Sequence, residues 1–198
     1  MQTDIPKLLS KRRKQILEDW MTNQLADSGL REDLISNEEL REQSTELLDT
    51  FLKSLSENSL ENAQSNELEA VHEILSGISI SRARQGFSPR ETGAYVFSLK
   101  EALHQSLLAE LKDKPQEMVV AGYKVNKLLD SLGILTFETF IKGREEVILR
   151  QTDEIAEIST PVIRTPTSSS ADAMTGAVTS SWRGTTSATA CVPVPRHW

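Results

Sequence analysis

One run of sequence limits the architecture more than any other: Pro115 to Ile163 contains no proline between its first residue and Pro161, and its apolar residues keep a helical period. From Ile134 the spacing becomes heptad-like, through Ile134, Phe137, Ile141, Arg144, Ile148, Gln151, Ile155 and Ile158. Apolar residues at alternating steps of three and four make a narrow seam of the kind that pairs two helices. Arg144 and Gln151 interrupt it, and polar residues at such positions weaken pairing while fixing register and partner number. The surrounding residues, among them Glu138, Lys142, Glu145, Glu146 and Asp153, suit a solvated surface. Thr160-Pro161 ends the run, because proline has no N–H and pushes the preceding residue out of the helical region. The seam predicts a homodimer through a connector helix; the competing reading is that the run packs back on its own bundle.

Size and charge narrow the classes. A chain of 198 residues suits one domain and a tail. With aromatic residues at 5%, leucine and isoleucine must build the core. A net charge of −7 argues against a nucleic-acid binder, which needs a basic face. The single cysteine, Cys191, rules out an intrachain disulfide or a cysteine-based metal cluster and fits a reducing cytoplasm. No apolar run approaches the ~20 residues of a membrane span, and the segment from Met1 to Pro6 lacks the basic start and apolar stretch of a signal peptide. A soluble cytoplasmic protein with no nucleic-acid or membrane partner is expected.

Before the connector, the periodicity predicts four helices. The first runs from about Pro6 to Leu25, with Asp4 as a nearby cap and Pro6 in the first turn. Its basic cluster Lys11-Arg12-Arg13-Lys14 could meet phosphate or an acidic partner, but a solvated face is the plainer reading. A turn is expected at Ala26-Asp27-Ser28-Gly29, and Ser36-Asn37-Glu38-Glu39 reads as a capping box opening the second helix. Ser56 to Gln64 reads as a loop, and a third helix spans Glu67 to about Arg84. Ser88-Pro89-Arg90-Glu91 combines cap, first-turn proline and reciprocal glutamate, the strongest helix start in the chain. The fourth helix runs to about Leu111, and Gly133 or Gly143 is a possible break in the long fifth. No stretch alternates at period two for long enough to make a strand.

The expectation is an all-α fold, a bundle or globin-like array of about five helices ending in a long joining helix. The domains divide as a helical sensory body at 1–133, a joining helix at 134–163 and a tail at 164–198. The tail is rich in Ser, Thr and Ala, has no apolar face, and is expected to be disordered.

Residues 80–163 resemble the N-terminal domain of RsbR-type stressosome proteins, in the subgroup with an RsbRD-type N-terminal region. The resemblance is carried by Arg82-Ala83-Arg84-Gln85-Gly86-Phe87-Ser88-Pro89, Phe97-Ser98-Leu99-Lys100-Glu101-Ala102-Leu103 and Leu128-Leu129-Asp130-Ser131-Leu132-Gly133. It continues through Arg144-Glu145-Glu146 and the exit Glu157-Ile158-Ser159-Thr160-Pro161-Val162-Ile163. It implies a non-catalytic, dimerising RsbT co-antagonist whose joining helix leads into a STAS domain. That domain assembles with a STAS-only paralogue and holds a serine/threonine switch kinase released under stress. Apolar strands should follow Val162-Ile163; the tail arrives instead, which reads as a frameshift or an early end. Family signalling through threonines makes Thr152 and Thr160 candidate phosphorylation sites.

Catalytic motifs are missing from the sequence: there is no Gly-rich phosphate loop, Gly-x-Ser-x-Gly or His-Glu-x-x-His. A free-standing globin-like sensor of a small molecule or haem is the alternative function. Its candidate iron ligand is His104, on an amphipathic helix beside Lys100, Glu101 and Leu108; His72 is placed comparably, and an ordinary boundary histidine is the plainer reading of both. Arg82, Arg84 and Arg90 bracket a helix start where an anion could sit, although a solvated turn explains them as simply.

Overall fold

A computed structural model of the protein describes residues 3–26 and 33–159, and these are helical throughout apart from short connections. In order come α1 (Ile5–Lys11), α2 (Arg13–Ala26), α3 (Asn37–Ser54), α4 (Glu57–Glu61), a 3-10 turn at Asn66–Leu68, α5 (Glu69–Gln85), α6 (Pro89–Leu111) and α7 (Pro115–Ser159). The all-α expectation holds. The described residues form seven α-helices rather than about five, for two reasons. The first predicted helix is interrupted at Arg12, whose backbone (φ −95°, ψ 7°) leaves the helical region while its N–H reaches the Leu9 carbonyl. The polar stretch read as a loop contains α4, closed by a capping box in which Ser56 and Ser59 satisfy each other's N–H groups and Leu60 turns inward.

Other boundaries follow their caps. The Asp4 carboxylate accepts from the Lys7 N–H at 3.0 Å and starts α1. At α6 the full box forms: Ser88 Oγ accepts from the Glu91 N–H at 3.2 Å, and the Glu91 carboxylate accepts from the Ser88 N–H at 2.6 Å. At α3 Ser36 caps the Glu39 N–H, but Glu39 turns to the Gln43 amide instead of completing a box. The third predicted helix begins with the 3-10 turn and becomes α-helical only at Glu69. Most of the turn expected at Ala26-Asp27-Ser28-Gly29 and all of the tail from Thr160 lie outside the described residues.

Leucine and isoleucine build the core around one large aromatic. Trp20 of α2 is fully buried, and its indole N–H lies 3.1 Å from the Tyr95 carbonyl and 3.0 Å from Ser98 Oγ, both on α6. A buried indole must place its single donor, and doing so on α6 fixes the register of α2 against it. Leu9, Ile16, Leu48, Phe51, Leu75 and Leu103 are buried in the same core. The basic cluster is neither free nor merely solvated: Lys11 and Arg12 pair with Glu110 at 3.3 and 3.4 Å, and Arg13 pairs with Asp49. Hydrogen bonding from Arg13 holds the Asp49 carboxyl below the usual aspartate range.

α7 is continuous over 45 residues, about 67 Å at about 1.5 Å per residue, so neither Gly133 nor Gly143 breaks it. Its inner side supplies Ala121, Val125, Leu128, Leu129, Leu132 and Phe140 to the intramolecular packing. Gly143 is needed for packing: a Cβ there would stand 3.1 Å from Ala83 Cβ and 3.3 Å from the Ile80 Cα of α5. Gly77, in the exposed middle of α5, has nothing within 4 Å of that position. Gly77→Ala should therefore stabilise the protein by about 0.5–1 kcal/mol through helix propensity. Gly143→Leu should cost about 1–3 kcal/mol by wedging α7 off α5. Urea unfolding of both variants checks the opposite signs.

Candidate functional site

α7 stays packed on the body as far as Gly143 and extends past it from Ile148, while its outer side carries apolar residues into solvent from Ile134 onward. Ile134, Ile141, Ile148 and Ile155 are 60%, 54%, 53% and 63% exposed, and Ile158 is 85% exposed. At about 100° per residue, the four heptad isoleucines fall on the far side of α7 from Leu128, Leu132 and Thr136, which face the body. The helix thus has two separate apolar faces: one is filled by α5 and α6, and the other faces solvent. Buried apolar surface is where helices gain stability in water, so four isoleucines in register on the open face are the strongest unsatisfied feature among the described residues.

The expected seam residues do not all share that face. Phe137 is half-buried against α6, with its ring 6.3 Å from that of Phe97, and a Cβ on Gly93 would meet its Cζ at 2.5 Å. It is engaged inside the chain, at the edge between the two faces. Arg144 and Gln151 are exposed beside the isoleucines. Where α7 parts from the body, a groove of about 610 Å³ runs between the α5–α6 turn and α7, lined by Phe87, Pro89, Phe140, Ile141, Arg144 and Ile148 among others. Across the same junction Arg84 of α5 pairs with Glu146 at 3.0 Å. Both groups are about half exposed, so the pair contributes little stability.

The stripe is longer than the heptads at the C-terminal end indicate. Val120 and Tyr123, two heptads before Ile134 and Phe137, are 53% and 70% exposed, and Val119 beside them is exposed as well. The interruption at Lys127 and Asp130 hid this continuation; Asp130 is held by Lys100 at 2.8 Å. Counting heptads backwards across that polar gap would have found it.

The remaining candidates are dispersed. Thr152 is exposed on α7, its hydroxyl donating to the Ile148 carbonyl at 2.9 Å; Thr160 lies outside the described residues, as do Cys191 and His197. His104 is half-buried on α6 with its ring edge beside Gly122 of α7, so haem ligation there would require the two helices to part. His72 is half-buried on α5. Of the three arginines at the α5–α6 turn, Arg84 and Arg90 are exposed; Arg82 is buried, contrary to the solvated turn expected for it, because its register on α5 follows Leu75 and Ser79 into the core. Among the described residues no group of three or more His, Cys, Asp or Glu could hold a metal ion, and no helix is long and apolar enough to cross a membrane.

Residues 14–155 match the family model described as the RsbT co-antagonist protein rsbRD N-terminal domain. The match begins at the second residue of α2 and takes in the isoleucine stripe as far as Ile155. No curated protein and no solved structure matches the chain.

Proposed function

The chain belongs to the RsbT co-antagonist rsbRD N-terminal domain family, and from that membership we propose that it is the non-catalytic sensory and dimerisation part of a cytoplasmic stressosome regulator. The observation that carries this reading is the open isoleucine face of α7, on a helix that continues beyond the body it is anchored to. Pairing of that face between two copies would leave two bodies side by side with their joining helices running together.

A signal acting on residues 1–133 then changes how α5 and α6 grip α7, and the paired segment passes the change along as a rotation or a register shift. Such a change transmits only if the signal binds the two arrangements with different affinity. In a protein that carries a STAS domain after the joining helix, the moving ends would reposition that domain, its STAS-only paralogue and the serine/threonine switch kinase they hold. The regulator controls release of the kinase and performs no chemistry itself.

Two measurements test the reading. Burying a fully exposed isoleucine side chain stabilises by roughly 1.5–3 kcal/mol, so a half-exposed one gains about 1 kcal/mol. Ile141→Asp with Ile148→Asp removes four such side chains per dimer, about 4 kcal/mol or roughly three decades in dissociation constant. Light scattering after size exclusion should show monomers with helix content retained, since both residues are exposed; persistent dimers would sink the pairing. Thr152 and Thr160 are the proposed phosphorylation sites, and a phosphate at Thr152 would put charge beside Ile148 and Ile155. Thr152→Glu should weaken dimers several-fold in equilibrium sedimentation while Thr152→Val leaves them unchanged, and equal effects would remove that residue from regulation.

A further inference from the structure

Arg82 is 4% exposed, yet it faces no carboxylate. The aromatic rings of Tyr95 and Phe87 lie 4.3 and 5.2 Å from its Cζ, and they satisfy its charge through their faces without accepting its N–H groups in plane. Its Nε and Nη2 are buried with no hydrogen-bond partner. Those two nitrogens form one edge of the guanidinium, where two N–H bonds run nearly parallel at the spacing of two oxygens on one atom. The Tyr95 hydroxyl is a second buried donor, with the Ser44 hydroxyl as its one neighbouring hydrogen-bonding group. It lies near Ser44, whose Oγ is engaged by the Gln24 amide at 3.2 Å.

Nearby acids do not fill the edge. Glu91 and Glu39 are the carboxylates whose charge reaches Arg82. The first is bound to the Ser88 N–H in the α6 capping box, and the second is exposed beside Gln43. Buried polar groups are nearly always paired, and a buried cation left alone is costly. The surroundings of Arg82 therefore offer donors in excess and lack an acceptor with negative charge.

The geometry points to a binding site for a small oxoanion, its two oxygens on the Nε–Nη2 edge of Arg82 and the Tyr95 hydroxyl donating to it. A carboxylate or an inorganic oxoanion supplies this chemistry, with one oxygen for each N–H of the edge. The site lies beneath Phe87, and Phe87 also lines the groove against α7. This inference does not depend on the pairing of α7: a monomeric chain would carry the same site.

The test uses the full chain, labelled with ¹⁵N, at constant ionic strength, with sodium chloride replaced stepwise by sodium acetate or sodium phosphate. The Nε–Hε resonance of Arg82, assigned by its loss in Arg82→Lys, should move downfield and saturate with acetate, with phosphate or with both. Acetate alone would identify a carboxylate site, and response to both a general oxoanion site. Tyr95→Phe should raise the midpoint about 3–10-fold, roughly the loss of one hydrogen bond, while Arg84→Met should leave it unchanged. Thermal unfolding gives a second reading: saturable stabilisation by the same anion in the wild type and in Arg84→Met, and none in Arg82→Met. No saturable shift of the Arg82 resonance with either anion, or equal anion stabilisation in Arg82→Met, would overturn the assignment.

Discussion

The structure depends on α7 packing along one side only. A helix about 67 Å long extends past a body whose other helices are at most 23 residues long, so part of it must leave the core. The departure is set by how closely α5 and α6 approach it. Gly143 lets the α5 backbone come within contact distance, and Gly93 makes room for the Phe137 ring. Beyond those contacts nothing in the described chain covers the isoleucine face. The same helix is therefore core wall on one side as far as Gly143 and open apolar surface on the other, and any movement of α5 or α6 reaches that surface through one continuous helix.

The seam itself is weak by composition. Isoleucine recurs at every seventh position from Ile134 to Ile155, while the intervening seam positions are Phe137, held against α6, and the polar Arg144 and Gln151. Polar residues at such positions trade stability for register and partner number. A joining helix that must change its pairing in response to a signal requires that balance, because a continuous apolar seam would lock one arrangement. The Arg84–Glu146 pair sits at the junction where the two regimes meet, and its exposure makes it cheap to break.

Much of this was legible in the sequence, because caps and periodicity act locally. Ser88-Pro89-Arg90-Glu91 specified the start of α6 to the residue, and the uninterrupted run after Pro115 specified α7. The heptad isoleucines could be placed on one face from spacing alone. The failures share a cause: tertiary contacts overrode a local rule. α4 has Ser59 where a capping box usually has a glutamate, so it read as loop, yet burial of Leu60 makes five residues of helix worthwhile. Gly143 looked like a helix breaker and proved to be a contact. Phe137 fits the seam by number but its ring is claimed by Gly93 and Phe97. Arg82 looked like a solvated charge although its spacing from Leu75 and Ser79 pointed inward; charge outweighed register in the reading, and the structure reverses that order.

Pairing of the isoleucine face of α7 with the same face of a second copy would place residues 141, 148 and 155 of the two chains opposite each other. Single cysteines placed along α7 in a Cys191→Ser background, followed by mild oxidation and denaturing electrophoresis, test it most directly. Cysteines at 141, 148 and 155 should give efficient covalent dimers, and those at 146, 150 and 153, on the flanks and back, few. Cross-linking that is uniform around the helix, or absent at 148, would contradict it.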